Sequence, residues 1–424
     1  MMPNRLLEPA LHKIEKPDLI HPAKSTLRNG IPVFALKAGQ QEVCKIDFVF
    51  EAGIWQQQKP LLASLSNAML QEGSKNYTAA QIAEFFDFHG AYLQLTADYH
   101  NGTVSVITLE KHVDKLLPVI EDLIKHSIFP SSEFQTLLKR RKQRFLLETE
   151  KVKILCQKKF SEVLFGQGHP YTLGLKAEDF DNGEIEDFVR FYKQHYHSKN
   201  CEIHLSGQFS DSIVDSLDKY FGSNDWEGQA TTTETKEIIA TSEALVRINK
   251  ENAIQSAIRI GKLLVEKQHP DYFGLQILTT ILGGYFSSRL MMNIREDKGY
   301  TYGIGANFVS LNQAGYLIIT TEVDKQYEKD TLKEIKKEID LLRTKLVSEE
   351  ELNRVKQYLV GEFLREFDGP FSLSQAFRNI HDFNLDYSFY DKYYETIQSI
   401  TPQHLQNLAL KYLSTESMHT VIAG

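Results

Sequence analysis

Two similar α+β halves in tandem are the architecture that this sequence predicts, and three observations carry the prediction. Strand-like runs, then paired helices, then a strand hairpin follow one another in the same order twice. Glycine landmarks recur at nearly constant separation: Gly53 with Gly261, Gly73 with Gly283, and Gly90 with Gly305. Two helix-opening segments, Pro130-Ser131-Ser132-Glu133 and Ser348-Glu349-Glu350-Glu351, stand at matching places in the two series. Strand runs followed by helix pairs argue for mainly antiparallel sheets with helices packed on one face, not for alternating βαβ units. The expected boundaries are 1–222 and 243–424, with a linker at 223–242. There Asn224-Asp225 and the polar Thr231-Thr232-Thr233-Glu234-Thr235 interrupt the apolar pattern.

The elements follow in order. Asn29-Gly30 is a tight-turn signal between apolar runs, and Val43 to Glu51 alternates as a strand ending at Gly53. Leu61 to Leu70 reads as an apolar helix stopped by Gly73. Thr78 opens a second helix whose apolar positions are Ile82, Phe85 and Phe86. Tyr92 to Leu109 reads as a hairpin, Val113 to Leu123 as an amphipathic helix, and Pro130 opens a long helix running into the 150s. In the second half a strand ends near Gly261, and a helix from Tyr272 to Leu282 ends at Gly283-Gly284. A short helix, Gly303-Ile304-Gly305-Ala306 before a hairpin, and a helix around Leu332 to Leu342 follow.

Bulk properties exclude several classes. With 424 residues the chain exceeds one ordinary core, and 42% hydrophobic with 25% charged residues is usual for a globular protein. A formal net charge of −8 argues against a nucleic-acid partner, which needs a basic face. The basic run Lys139-Arg140-Arg141-Lys142 falls in a helix and reads as a solvated face. Cys44, Cys156 and Cys201 lack metal-ligand spacing and suit buried apolar roles in a reducing compartment. No run approaches the ~18 apolar residues of a membrane span. Charges scattered through Met1 to Pro22 leave no secretory signal to expect, and a cytoplasmic location is the default.

The most telling stretch is Ile281-Leu282-Gly283-Gly284-Tyr285-Phe286-Ser287-Ser288-Arg289-Leu290, followed by Asn293 to Gly303 with Arg295 and Tyr302 in it. It resembles the C-terminal-half signature of the insulinase-like (pitrilysin, mitochondrial-processing-peptidase-like) zinc peptidases. Met69-Leu70-Gln71-Glu72-Gly73-Ser74-Lys75-Asn76-Tyr77 and Gly168-His169-Pro170-Tyr171 resemble further segments of that family. So does Asp187 to Asn200, ahead of Gly207, and the resemblance spans about residues 25 to 424. It implies two similar α+β halves that together form one half of a clam-shell. It also implies that Arg295 and Tyr302 help bind a peptide at a catalytic centre. The pattern departs where active members carry an inverted His-x-x-Glu-His: here Ser64, Asn67 and Ala68 stand in those positions. The third ligand position falls near Arg144, with Glu148 one turn on. Zinc takes imidazole, thiolate or carboxylate donors, and its water-activating base is a separate carboxylate. Ser, Asn and Ala provide neither, so no metal or other cofactor is expected in this chain.

The expected function is therefore the non-zinc subunit of a heterodimeric metallopeptidase, inactive alone, with zinc in a paralogous zinc-motif subunit. A weak homodimer can substitute when that partner is missing, and the sequence leaves the oligomeric state of the isolated chain open. The rival is a catalytically inert scaffold of the same fold that binds peptides or partners. Both a guanidinium and a phenol can donate to a peptide carbonyl or to the oxyanion that forms on it, which favours the first. Other candidate sites rank lower. Gly283-Gly284 followed by Ser287-Ser288 lacks the Gly-Lys-Ser/Thr end of a phosphate loop and follows a helix, so it reads as a helix stop. Arg289 reads as an architectural residue paired with an internal carboxylate. His195, His197 and His204 form the densest histidine group, without further converging ligands. Tyr99 to Ile107 reads either as a substrate-pairing edge strand or as an ordinary strand with a bulge at Gly102.

Overall fold

The computed structural model describes residues 16–172, 174–229 and 235–424. Six strands form the first sheet: β1 (Ala23–Thr26), β2 (Pro32–Lys37), β3 (Val43–Phe50), β4 (Tyr92–Ala97), β5 (Gly102–Leu109) and β6 (Cys201–Gly207). Five form the second: β7 (Leu245–Ile248), β8 (Gln255–Leu264), β9 (Thr301–Leu311), β10 (Ala314–Asp324) and β11 (His419–Ala423). Their orders are β1-β2-β6-β3-β5-β4 and β7-β11-β8-β10-β9. With β1 set aside, the two sheets match strand for strand. Each starts with a parallel pair, β2 with β6 or β7 with β11, and continues antiparallel. The repeat read from glycine spacing is thus a repeat of topology.

Period-two alternation decides which face each strand buries. On β3, Cys44, Ile46, Phe48 and Phe50 enter the first core with the helices Leu62–Met69 and Val113–Lys125, while Lys45 and Asp47 point the other way. On β8, Ile258 and Ile260 join the second core, and Ala257, Arg259 and Gly261 take the opposite face. That opposite face is where the halves meet. The helix Val152–Phe165, from the first half, lies on β8 and β11 of the second sheet. In return the helix Pro370–His381, from the second half, lies on β2 and β6 of the first. Cys156, Phe160, Leu164, Ala257, Ile318 and Val421 pack together in one shared core. Leu36, Phe363, Leu373 and Ile380 pack in the other. The tight fit is visible at Gly261, where an added Cβ would meet the Phe160 ring at 2.8 Å.

This exchange explains one departure from the sequence reading. The long helix expected to run from Pro130 into the 150s stops at Thr149, and a new one starts at Val152. Lys151, in extended conformation (φ −83, ψ 127), turns the chain out of its own half. The helix opening at Pro130 also differs. Proline itself occupies the cap at φ −61 and no side chain caps the first turn, whereas Ser348 accepts from the Glu351 amide as expected. Thr78 and Gln81 form the reciprocal box. Within the expected linker, Trp226 is buried in the first core, and residues 230–234 lie outside the described residues.

The seam over β6 carries a charge clasp. The Glu202 carboxylate accepts from His204 Nε2 at 2.9 Å and from His381 Nε2 at 3.0 Å, so the returning helix is tied to the first sheet. Burial alone would raise Glu202, but the two imidazoles hold it far below the usual carboxylate range. The hydrogen bond to Glu202 raises His381 above 6.5. Phe34 and Phe377 close over the rings, with Lys24, Arg378 and Asp382 as the other charges facing them. A raised histidine contributes stability that is complete below the unfolded pKa and lost as pH rises through the folded one. His381→Gln is therefore expected to lower the thermal midpoint most at about pH 6 and least at about pH 8.5. A deficit that does not change between those pH values would remove the ion pair from this account.

Candidate functional site

The helix Leu62–Met69 carries the degenerate motif, and its environment shows what those positions now do. Asn67 is buried and donates its amide to the Tyr196 hydroxyl at 3.0 Å and to the Thr103 carbonyl at 3.4 Å. Gly102 makes room for that hydroxyl, since a Cβ there would stand 2.4 Å from it. Gly102 is thus a close approach and not a bulge; β5 keeps regular register with both neighbours. Ser64 donates only to the carbonyl of Leu61, and Ala68 offers no polar atom. At the third position Arg144 faces Glu148 at 3.6 Å in an exposed pair. These residues do not fit zinc: one carboxylate engaged by an arginine is the only donor of the right type among them. Among the described residues no three His, Cys, Asp or Glu side chains gather in a way that could hold a metal ion.

Of the two readings of Tyr99 to Ile107, the sheet order selects the ordinary inner strand. β4, Tyr92–Ala97, is the edge, and β5 lies between β3 and β4. The histidine group does not converge either. His195 packs on Phe191 and is pushed down to about 4 by burial, His197 lies against Gly228, and His204 belongs to the Glu202 clasp. Burial pushes the Cys44 and Cys156 thiols up to about 12, so neither supplies a thiolate near neutral pH.

In the second half the structure brings Arg295 and Tyr302 together. The helix Tyr272–Thr279 widens into a π-type turn, Thr280–Gly284, and Arg295 sits on a second one, Met291–Asp297. Such widened turns recur at functional sites because they re-aim side chains. Gly283 lets the first turn rest directly on β9, where a Cβ would meet the Ala306 amide nitrogen at 2.5 Å. This is the helix stop with close backbone approach expected from the sequence. Gly303 to Ala306 lie inside β9 and not ahead of it, contrary to the sequence expectation, because the hairpin pairing reaches back to Thr301.

The Arg295 guanidinium lies between two rings, 4.7 Å from the Phe286 centroid and 5.6 Å from that of Tyr302. Cation–π contacts of this kind hold a guanidinium in place for about 0.5–1 kcal/mol at exposed sites. Glu296 is 3.3 Å away, so Arg295 keeps donors free. Tyr302 is 94% exposed, and among the described residues its hydroxyl has no hydrogen-bond partner. The two groups are held adjacent, the phenol exposed and the guanidinium half-buried with donors to spare. Arg289, six residues before Arg295, is engaged instead: its Nε and Nη2 donate to both Glu351 carboxylate oxygens at 2.8 Å.

Beside Tyr302 opens a cleft of about 540 Å³ on the open part of the second sheet, with Arg259 and Gly303 on its floor. The sequence reading passed over Arg259. Its one signal was a lone arginine in the apolar run Ala257-Ile258-Arg259-Ile260-Gly261, at a position that alternation assigns to the face away from the core.

Comparison with known proteins agrees with this fold. Residues 33–164 match the family profile described as Insulinase (Peptidase family M16), and residues 184–359 match the one described as Peptidase M16 inactive domain. An uncharacterized zinc protease YmxG from Bacillus subtilis is 26% identical over 308 residues, covering 70% of this chain and 72% of that protein. An uncharacterized zinc protease from Rickettsia felis is 25% identical over 419 residues, covering 94% and 96%. The crystal structure of a peptidase M16 inactive domain from Pseudomonas fluorescens superposes with a TM-score of 0.84 at 21% identity, covering 95% of this chain and 98% of that one. The fold is the two-half clam-shell type, and this chain belongs to the insulinase family of peptidases, M16. Among the described residues no helix is long and apolar enough to cross a membrane.

Proposed function

We propose that this chain is the non-zinc subunit of a two-subunit metallopeptidase. It contributes one wall of the chamber and the Arg295/Tyr302 clamp on the peptide. A paralogous subunit with an intact zinc motif contributes the metal and the general base. One observation carries this reading: the motif helix carries no zinc donor, while a half-buried Arg295, paired only with its neighbour Glu296, stands beside an exposed Tyr302 whose hydroxyl has no partner among the described residues. A scaffold retains the fold as readily but has no use for an outward phenol beside a ring-held guanidinium. The Tyr302 O–H and an Arg295 N–H would donate to the carbonyl oxygen of the bound peptide and hold it as negative charge develops there. Groups placed for that charge contribute to the rate and not merely to binding. Dividing clamp and metal between two chains leaves neither active alone.

The test is co-expression with a paralogue that carries the intact motif, followed by sizing chromatography and elemental analysis. One complex is expected, with one zinc per heterodimer and peptide cleavage only in the joint peak. This chain by itself is expected to hold less than one tenth equivalent, roughly, after dialysis against zinc, since it lacks the usual three protein ligands. A chelator-sensitive zinc bound one-to-one by this chain alone would overturn the reading. So would separate elution of the two proteins at micromolar concentration.

A further inference from the structure

We infer that the cleft beside Tyr302 is a subsite for a carboxylate of the bound peptide, taken by Arg259, with the peptide backbone lying over Gly303. This rests on the peptide-binding role proposed above and adds to it the chemical class that the site selects.

Arg259 projects from β8 on the face away from the second core, between Ala257 and Gly261, which pack against the helix Val152–Phe165, and it also lines the cleft. Its Nη2 donates to Gln157 Oε1 at 3.3 Å, and among the described residues it forms no ion pair with a carboxylate. The site is half-buried, and that burial lowers the arginine from its ordinary value. A half-buried guanidinium without a carboxylate partner is costly, and a planar fork of free donors matches an incoming carboxylate. The neighbouring charges do not supply one. Glu322 lies in the same cleft and its charge favours the Arg259 guanidinium, but it forms no ion pair with it and is engaged by Lys153 at 3.5 Å. Asp324 lies four residues along β10 from Thr320, the cross-strand partner of Arg259, so about 13 Å away at strand rise.

Gly303 is the second, independent observation. A Cβ built there meets nothing within 4 Å, and its φ does not require glycine. Its carbonyl accepts from the hydroxyls of both Thr301 and Thr321, so the backbone is pinned while the space above it stays open. Glycine weakens a strand and recurs where another backbone approaches closely. Neither the packing nor the backbone of this chain calls for glycine here. An extended peptide crossing the cleft does. It would pass Tyr302 at one side and place a carboxylate at Arg259.

A carboxylate can come from an acidic side chain or from the end of a peptide. The test is fluorescence anisotropy of the full chain with one labelled extended peptide in four forms: Glu or Gln at a central position, each with a free or an amidated C-terminus. The charged form of the correct source is expected to bind roughly tenfold more tightly than its neutral counterpart, as for charge-assisted hydrogen bonds. Arg259→Gln should abolish that difference. Gly303→Val should weaken all four forms alike while the protein keeps its thermal midpoint, because the added side chain enters open space. A central Glu preference identifies a side-chain subsite; a free-terminus preference identifies a C-terminal one. Binding without any charge preference, or a preference that survives Arg259→Gln, overturns the subsite and leaves peptide binding standing. No binding of any form overturns both.

Discussion

Tyr302→Phe and Arg295→Ala are each expected to lower turnover of the assembled two-subunit peptidase by about 10²–10³, equivalent to roughly 2.7–4 kcal/mol, the usual cost of one lost oxyanion donor. The two changes remove different things. Tyr302→Phe deletes a single hydroxyl from a ring that is 94% exposed, so packing hardly changes. Arg295→Ala deletes a fixed charge and the two ring contacts that hold it. Assembly and zinc content of the partner should stay at wild-type levels in both. Arg289→Ala is the control, because that guanidinium is committed to Glu351. It should cost about 1.5–3 kcal/mol of stability, the range for hydrogen bonds to a charged group, and leave turnover per folded complex unchanged. Should the Tyr302→Phe and Arg295→Ala complexes assemble and cleave at the wild-type rate, the chain is a scaffold and the clamp has no catalytic part.

Phe160→Ala is expected to destabilise the whole chain by about 3–5 kcal/mol, the range for removing a buried aromatic. Phe160 belongs to the first half in sequence but is buried against Gly261 and Val421 of the second. Its loss opens a cavity that neither half can collapse alone, since the helix carrying it is held by both. Urea unfolding followed by intrinsic fluorescence reads this directly. The only two tryptophans are Trp55, in the shared core, and Trp226, in the first core. A single transition shifted to lower urea is the expected result. A loss under about 1 kcal/mol would show that the exchanged helix is a surface attachment and not a core member.

Much of the fold was legible because it is written in local patterns. Alternation along Val43 to Phe50 exposed a strand with one apolar face, and Thr78 marked a helix start that the structure contains. Recurrent glycines exposed the repeat, since Gly261 and Gly283 sit where a Cβ would strike another backbone. The degenerate motif could be read because losing imidazole and carboxylate donors is a matter of residue type, which folding cannot restore. The choice between edge and inner strand for Tyr99 to Ile107 stayed open, because which strand of a hairpin lies outermost depends on β3 pairing with β5, a choice the hairpin itself does not encode.

The sequence by itself determined the two-half α+β plan, because periodicity and turn chemistry are properties of neighbours along the chain, and its motifs' resemblance to the insulinase-like peptidases pointed to the family and to the positions that lack zinc donors. Only the tertiary structure decided three things. It placed Val152–Phe165 and Pro370–His381 on each other's sheets, brought Arg295 against the rings of Phe286 and Tyr302, and gathered Arg259 and Gly303 into one cleft. Each joins residues whose apolar or charged faces could have been satisfied by many partners. The partner actually chosen is the one that lets both sheets bury their second face at once.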